Sequence, residues 1–258
     1  MKRNPVEKPP VAAALWSARL ALFGLLVAAL AALLSRNRAI EPPAALVLLA
    51  AAGLFALAAL LLAGLAAAVV WREGRTGIGA ALGGALLALL LLAWPLFLAA
   101  QSIRLPVLAD VTTDIAAPPD FSRSAKASAL RGGPPPGEVA AAARQAQRAA
   151  YPHVQPLIVE LEAEEAYRLA LKTAAQMGWR IVESSPPGGR AGLGHIDAVD
   201  RTLIMGFPDD IAIRIRPLAG ETRIDLRSVS RIGSHDFGAN AKRIAAFAAQ
   251  FEALAASR

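Results

Sequence analysis

The densest run of residues able to do chemistry lies between Phe207 and Arg243. Asp209 and Asp210 open it. Arg214, Arg216, Asp225, Arg227, Ser228, Ser230 and Arg231 follow, and then His235, Asp236, Asn240 and Arg243. Arginine forks grip carboxylate or phosphate through two parallel hydrogen bonds, so a row of them on an open surface suits an anionic ligand such as a lipid headgroup or an envelope polymer. The same residues suit cross-strand Asp–Arg pairing on a solvated sheet face. The sequence leaves both readings open.

Other chemistry has weaker support. Asp209 and Asp210 are adjacent, so strand alternation sends them to opposite faces, and a turn or cap role suits them better than joint acid–base work. His235 beside Asp236 could activate Ser228 or Ser230 as a hydrolytic nucleophile, but no G-x-S-x-G elbow surrounds either serine. The histidines, His153, His195 and His235, have no metal-ligand spacing. Gly192-Leu193-Gly194 lacks the strand–turn–helix context of a nucleotide loop. The chain has no cysteine, which excludes disulfides, thiolate nucleophiles and cysteine-held zinc or iron–sulfur centres. No cofactor is implied.

The residues after His153 supply elements to position this cluster. Val154 to Leu161 alternates enough for a strand, with Pro156 marking an edge. Glu164 to Met177 carries Tyr167, Ala170, Leu171 and Ala174 on one helical face and stops at Gly178. Trp179–Glu183 and Gly192–Arg201 read as strands around a Pro186-Pro187-Gly188-Gly189 turn. Ile211–Arg216 and Thr222–Ser230 alternate on either side of a short loop and read as a hairpin. Phe237 to Ala256 closes the chain as a helix, with Ser234 or Asp236 as its cap. This order predicts an α+β domain over 153–258, an antiparallel sheet with two helices on one face. Arg214, Arg216, Arg223, Asp225 and Arg227 then fall on the other face.

Upstream the composition changes. Residues 105–152 form an extended Pro-rich strip and an Ala-rich helix from Glu138 to Ala150; Phe121, beside Pro118-Pro119-Asp120, suggests that the strip packs along the domain. Residues 1–104 are a transmembrane anchor of three helices, at about 11–34, 44–71 and 76–100. Each meets the roughly 20 apolar residues needed to cross about 30 Å of hydrocarbon. Trp16, Trp71 and Trp94 suit the interfaces, Pro95 predicts a kink or last turn, and Gly79 with Gly83 predicts close helix approach.

The net charge of +7 belongs to the anchor and strip: residues 1–152 hold 14 Lys/Arg against 7 Asp/Glu, and residues 153–258 hold 13 of each. A neutral domain without a basic stripe excludes nucleic acid as an expected partner. Lys2, Arg3, Lys8, Arg72 and Arg75 on one side outnumber Arg36, Arg38 and Arg104 on the other. A cytoplasmic N-terminus and a periplasmic C-terminal domain on a bacterial inner membrane are therefore expected.

Several strings carry a family resemblance. They are Gly206-Phe207-Pro208-Asp209-Asp210, Ile213-Arg214-Ile215-Arg216, Asp225-Leu226-Arg227-Ser228-Val229-Ser230-Arg231-Ile232-Gly233 and Asp236-Phe237-Gly238-Ala239-Asn240-Ala241-Lys242-Arg243-Ile244. With Asp110-Val111-Thr112-Thr113-Asp114, Pro118-Pro119-Asp120-Phe121 and Ala150-Tyr151-Pro152, they make the chain from about residue 105 onward resemble the domain of unknown function 1499 family of bacterial envelope and plastid proteins. The resemblance implies a shared fold that includes the 110–121 strip. It assigns no catalytic residue, and it implies that the Arg/Asp cluster matters, as a ligand site or as the polar network that fixes the fold. The expected function is a membrane-tethered, non-enzymatic binding or scaffolding module of the envelope. Its expected partners are the lipid bilayer and an anionic envelope ligand or a membrane protein. The alternatives are a hydrolase using Ser228 or Ser230 with His235, and a structural subunit of a membrane complex.

Overall fold

The computed structural model describes residues 9–188 and 192–257. Lys2, Arg3, Lys8 and Gly189, used above for orientation and for a turn, lie outside the described residues. The chain divides into two compact units. The first takes the helices as far as Ala100 with Ile204–Gly206, and the second takes Gln101–Leu203 and the chain from Phe207 onward.

The helical unit contains α1 (Ala12–Arg36), α2 (Pro42–Glu73) and α3 (Ile78–Arg104), all long and apolar enough to cross a membrane. Their buried positions are small. Ala14, Ser17, Ala21 and Gly24 line α1, Ala52, Ala56, Ala59, Ala63 and Ala66 line α2, and Ala81, Gly84 and Ala88 line α3. Steps of three and four place each set along one stripe, and small side chains let backbones approach. Gly84 shows how closely: a Cβ there would stand 2.3 Å from Ser17 Oγ and 2.7 Å from Ala18 N. Gly79 and Gly83, the expected packing pair, face open space, so the packing glycine is one residue further on. Ser17, a polar residue within the apolar run, donates to the Ala59 carbonyl at 2.8 Å. The large side chains point outward, Leu61 being 72 % exposed. Helix α3 continues through Pro95 to Arg104.

The second unit is an antiparallel sheet with helices. Its strands are β1 (Asp110–Thr112), β2 (Leu157–Val159), β3 (Arg180–Ser185), β4 (Gly194–Arg201), β5 (Pro208–Pro217) and β6 (Thr222–Ser230). The order is β1-β6-β5-β4-β3, and β2 shares the outer edge of β6 with β1. Strand β2 is shorter than the alternation predicted, because it pairs only with Thr222–Ile224. The helices are α4 (Ala125–Arg131), α5 (Ala141–Ala150), α6 (Ala163–Gln176) and α7 (Ala239–Ala256). Gln147 of α5 closes the free edge of β1, accepting from Thr112 N at 3.1 Å and donating to Thr112 O at 2.6 Å.

One sheet face carries Ile196, Ala198, Ile211, Ile213, Ile215, Ile224 and Leu226, which pack with Leu169 of α6 and Phe247 and Phe251 of α7. Both helices therefore cover one face, as the element order predicted. The other face was expected to be open, and it is covered. Residues 113–137, including α4, lie over it, leaving Asp225 0 % and Arg227 3 % exposed. Helix α4 interrupts the strip that was expected to be extended; Ser124 caps it by accepting from Ala127 N at 2.9 Å, and Gly132 (φ 83°) ends it. Helix α7 starts two residues later than predicted, because Phe237 (φ 52°) and Gly238 (φ 79°) take left-handed backbone.

Candidate functional site: an ionic brace and a polar cleft

On the covered face, alternate residues of three adjacent strands project between the sheet and the 113–137 segment. Cross-strand register sets Arg214 opposite Asp225 and Ala212 opposite Arg227 on β6, and His195 opposite Arg214 and Asp197 opposite Ala212 on β4. Asp225 accepts from Arg214 Nη2 at 2.7 Å and from Arg223 Nε at 2.8 Å. Asp114 accepts from the same two arginines at 3.1 and 2.9 Å, closing a four-membered ring of alternating charge. Arg227 forks onto Asp110, at 3.1 Å from Nε and 2.7 Å from Nη2, and donates to the Gly137 carbonyl at 2.6 Å. Arg231 forks onto Asp210 and donates to the Arg131 carbonyl. Arg131 reaches Asp197 at 2.6 Å and Asp210 at 3.4 Å, and all three side chains are 1 % exposed. The Phe121 ring lies against two of these guanidinium groups, with Arg131 at 5.5 Å and Arg227 at 5.2 Å.

The arrangement is an internal brace. Fork geometry uses both carboxylate oxygens, and backbone carbonyls take the remaining donors, which is what burial of these charges requires. Arg216 lies on the same face and makes no ion pair among the described residues.

A second polar cluster sits where β5 begins, on the α6–α7 face. Arg243 donates to Asp200 at 2.7 Å, to Asn240 Oδ1 at 2.8 Å, to Ser228 Oγ at 2.9 Å and to Asp209. Ser228 Oγ donates to Asn240 Oδ1 at 2.7 Å, and Asn240 Nδ2 donates to Ser230 Oγ and the Ala109 carbonyl at 3.1 Å each. Asp236 caps α7, accepting from Gly238 N and Asn240 N at 2.8 Å. Burial pushes the Asp209 carboxyl above its ordinary 3.8, against the lowering pull of Arg243 and of the hydrogen bonds from Ser230 and Arg243. Burial also raises the Tyr151 hydroxyl above 10.0, and the nearby charge of Asp236 adds to it.

No Ser–His dyad is assembled here. His235 Nδ1 accepts from Phe237 N at 2.9 Å, and the ring stacks on Phe237 at 4.4 Å. Ser228 donates to Asn240 instead. Asp209 and Asp210 diverge as alternation required, Asp209 to Arg243 and Asp210 to Arg131 and Arg231.

A third feature is open to solvent. Asp120, Phe121, Ser122, Glu183, Ser184, Ser185 and His195 line a shallow cleft of about 390 Å³. His195 Nε2 stands 2.9 Å from Asp197 Oδ1, yet neither atom completes an aligned hydrogen bond. The two atoms are close but not aligned as a donor–acceptor pair. Asp197 is itself fixed, since Oδ2 accepts from Ser122 N at 2.8 Å and from Arg131. Glu183 accepts from Ser124 Oγ at 3.2 Å. Among the described residues no group of three or more His, Asp or Glu side chains could hold a metal ion.

Residues 110–251 match the family described as Protein of unknown function (DUF1499). The chain belongs to this family. The match runs from the first residue of β1 to Phe251, the last fully buried aromatic of α7, and so contains the brace, the α7 cluster and the cleft. Helices α1 to α3 lie outside it. No curated protein and no solved structure matches the chain.

Relative to the sequence-derived cluster, the family domain adds Asp110, Asp114, Arg131, Asp197 and Asp200 as ionic partners. It separates His235 from the two serines. Asp110 and Asp114 were visible only as family motif residues. Arg131 had a local signal, a Ser124 cap and a Gly132 stop around an Ala-rich turn, but nothing local shows that it reaches Asp197, 66 residues away.

Proposed function

We propose that the protein is a multi-pass membrane protein whose DUF1499 domain is a non-enzymatic binding module of the cell envelope. The distribution of flanking cations supports a cytoplasmic N-terminus and a periplasmic domain on the inner membrane. The observation that carries the binding reading is a contrast in the use of polar groups. Those of the Arg/Asp/Ser cluster are spent on one another, while the His195 cleft keeps carboxylate, hydroxyl and imidazole groups at the surface. A hydrolase acting through Ser228 or Ser230 has little support, because both hydroxyls are held by Asn240 and Arg243 cross-braces this pair. An anionic ligand on the arginine row likewise has little support, because the row faces its own carboxylates.

The cleft suits a ligand rich in hydrogen-bond donors. Asp120, Glu183 and three serines offer acceptors, and among the described residues no arginine or lysine lines it. A hydroxylated and aminated saccharide meets that pattern, since each carboxylate can take two donors. Calorimetric titration of the full chain in nanodiscs with a glucosamine oligomer tests this, using wild type, Glu183→Gln and His195→Ala. Saturable binding weakened at least tenfold by either variant supports the reading. Absence of binding, or equal binding by folded variants, removes it.

A further inference from the structure

We propose that the His195 cleft selects its ligand by positive charge, holding a protonated primary amine between Asp120 and Glu183 and discriminating against the N-acetylated form. The inference rests on the reading of the cleft as a saccharide site.

The first observation is a charge imbalance. On this side of the sheet Asp110, Asp114, Asp197, Asp210 and Asp225 are each held by at least one arginine. Asp120 and Glu183 line the cleft and make no ion pair among the described residues. Glu183 accepts from Ser124 Oγ, at 3.2 and 3.3 Å to its two oxygens, and Asp120 is exposed. The arginines beside them are committed elsewhere. Arg131, 1 % exposed, is turned to Asp197 Oδ2, and Arg214, opposite His195 in register, is turned to Asp114 and Asp225.

The second observation is how Glu183 comes to face the cleft. Ile181 pairs with Ala198 but Glu183 with Asp197, so the β3–β4 register shifts at Val182. Ile181 packs with the α6–α7 core. Unbroken alternation from Ile181 would send Glu183 to that same face. The extra residue sends it to the face of Asp197, while Val182 packs with Ala127 and Val199. Bulges at sheet edges re-aim side chains in this way, and here the re-aimed side chain is an unpaired carboxylate.

The third observation is buried. Asp197 Oδ1 belongs to a side chain 1 % exposed and has no hydrogen-bond partner; nor has His195 Nε2, 2.9 Å away. Ser122 N and Arg131 take the other oxygen of Asp197, so its unmet charge is turned to the wall of the cleft that His195 forms. Three carboxylates thus bear on one space of about 390 Å³. An ammonium group brings three donors and the missing charge, and charge-assisted hydrogen bonds are about twice as strong as neutral ones. An N-acetyl group brings one donor and no charge.

Calorimetric titration of the full chain in nanodiscs with a glucosamine trimer and with its fully N-acetylated counterpart tests this. It is run at about pH 6, where the amine carries charge, and at about pH 9, where it does not. Histidine gains charge as pH falls, so His195 opposes the expected change rather than imitating it. Wild type should prefer the glucosamine trimer at least tenfold at the lower pH and less than threefold at the higher. Glu183→Gln should bring the two trimers within threefold at both. Asp120→Asn changes a side chain without a structural partner and should cut the preference at least threefold with the far-UV circular dichroism unchanged. Equal binding of both trimers by wild type, weakened by Glu183→Gln, overturns charge selection and leaves the saccharide reading standing. A preference that survives in both folded variants, or that does not move with pH, also overturns it. Binding of neither trimer removes both readings.

Discussion

Buried positions in the helical unit are alanine, glycine and serine, with leucine and tryptophan on the outside; Trp71 is 90 % exposed. In the α+β unit the order is reversed. Isoleucine, leucine and phenylalanine fill the core, and the second sheet face is sealed by buried charge. Hydrocarbon gives large apolar side chains no reason to leave it, so helices that meet in it associate through close backbone approach and occasional hydrogen bonds such as Ser17 to Ala59. Water expels the same side chains, and burial of an Ile or Phe side chain is worth about 1.5–3 kcal/mol. The contrast is the one expected where helices long and apolar enough to cross a membrane are joined to a domain that folds in water.

The largest effect expected from breaking this contrast is in the brace. Asp225→Ala leaves Arg214 and Arg223 sharing Asp114 alone, within a covered face. Removing one partner from a buried ionic network costs about 3–5 kcal/mol. Thermal unfolding followed by Trp179 fluorescence should shift strongly downward, because that ring is stacked on Phe247 at 5.4 Å in the adjoining core. The helical signal of α1–α3 should persist in the same sample. Parallel loss of both would show that the two units do not hold themselves together separately.

Side-chain volume sharpens the contrast next. Ile213→Ala removes a fully buried side chain from the sheet core and should cost about 2–5 kcal/mol. Leu61→Ala removes an outward side chain of α2 and should cost close to nothing in helix packing. Enlargement reverses the ranking. Gly84→Val must displace Ser17 and the Ala18 backbone and should cost about 1–3 kcal/mol, read as lost protease resistance of the helical unit in nanodiscs. Gly79→Val, which meets open space, is the matched control.

Legibility followed the same division. Spans, sheet class and the two helices on one face come from local patterns: uncharged runs, alternation in Ile211–Arg216, and the stripe of Ile244, Phe247 and Phe251. The direction of Asp209 and Asp210 also follows from alternation. Phe121 pointed correctly to a strip packed along the domain, but the reading of the second sheet face as open did not hold. Arg214 and Arg227 read as surface charge because alternation reports a side, not its cover. The cover comes from residues 113–137, which have little periodicity. Gln147 and Arg131, both in alanine-rich turns, act through partners 35 and 66 residues distant. Gly84 was missed for Gly79 and Gly83 because a small-residue spacing occurs at several registers in so Ala/Gly-rich a helix, and packing selects one of them.

The smallest effect, and the one that separates the two polar clusters of the α+β unit, is pH-dependent. Asp209 is buried on the α7 face, and burial outweighs Arg243 in setting its carboxyl above the ordinary 3.8. A carboxyl raised on folding binds its proton more tightly in the folded state. Its contribution to stability is therefore fully present below about 3.8 and is lost as pH rises through the folded value. Asp209→Asn removes that loss. Comparing unfolding midpoints of wild type and Asp209→Asn from pH 3.5 to pH 7, the variant should gain relative to wild type as pH rises, after allowance for the constant effect of changing the Arg243 contact. A gap that is flat with pH, or that widens in the opposite sense, would mean that Arg243 overrides burial and that this cluster is an ionic brace of the same kind as the one on the opposite face.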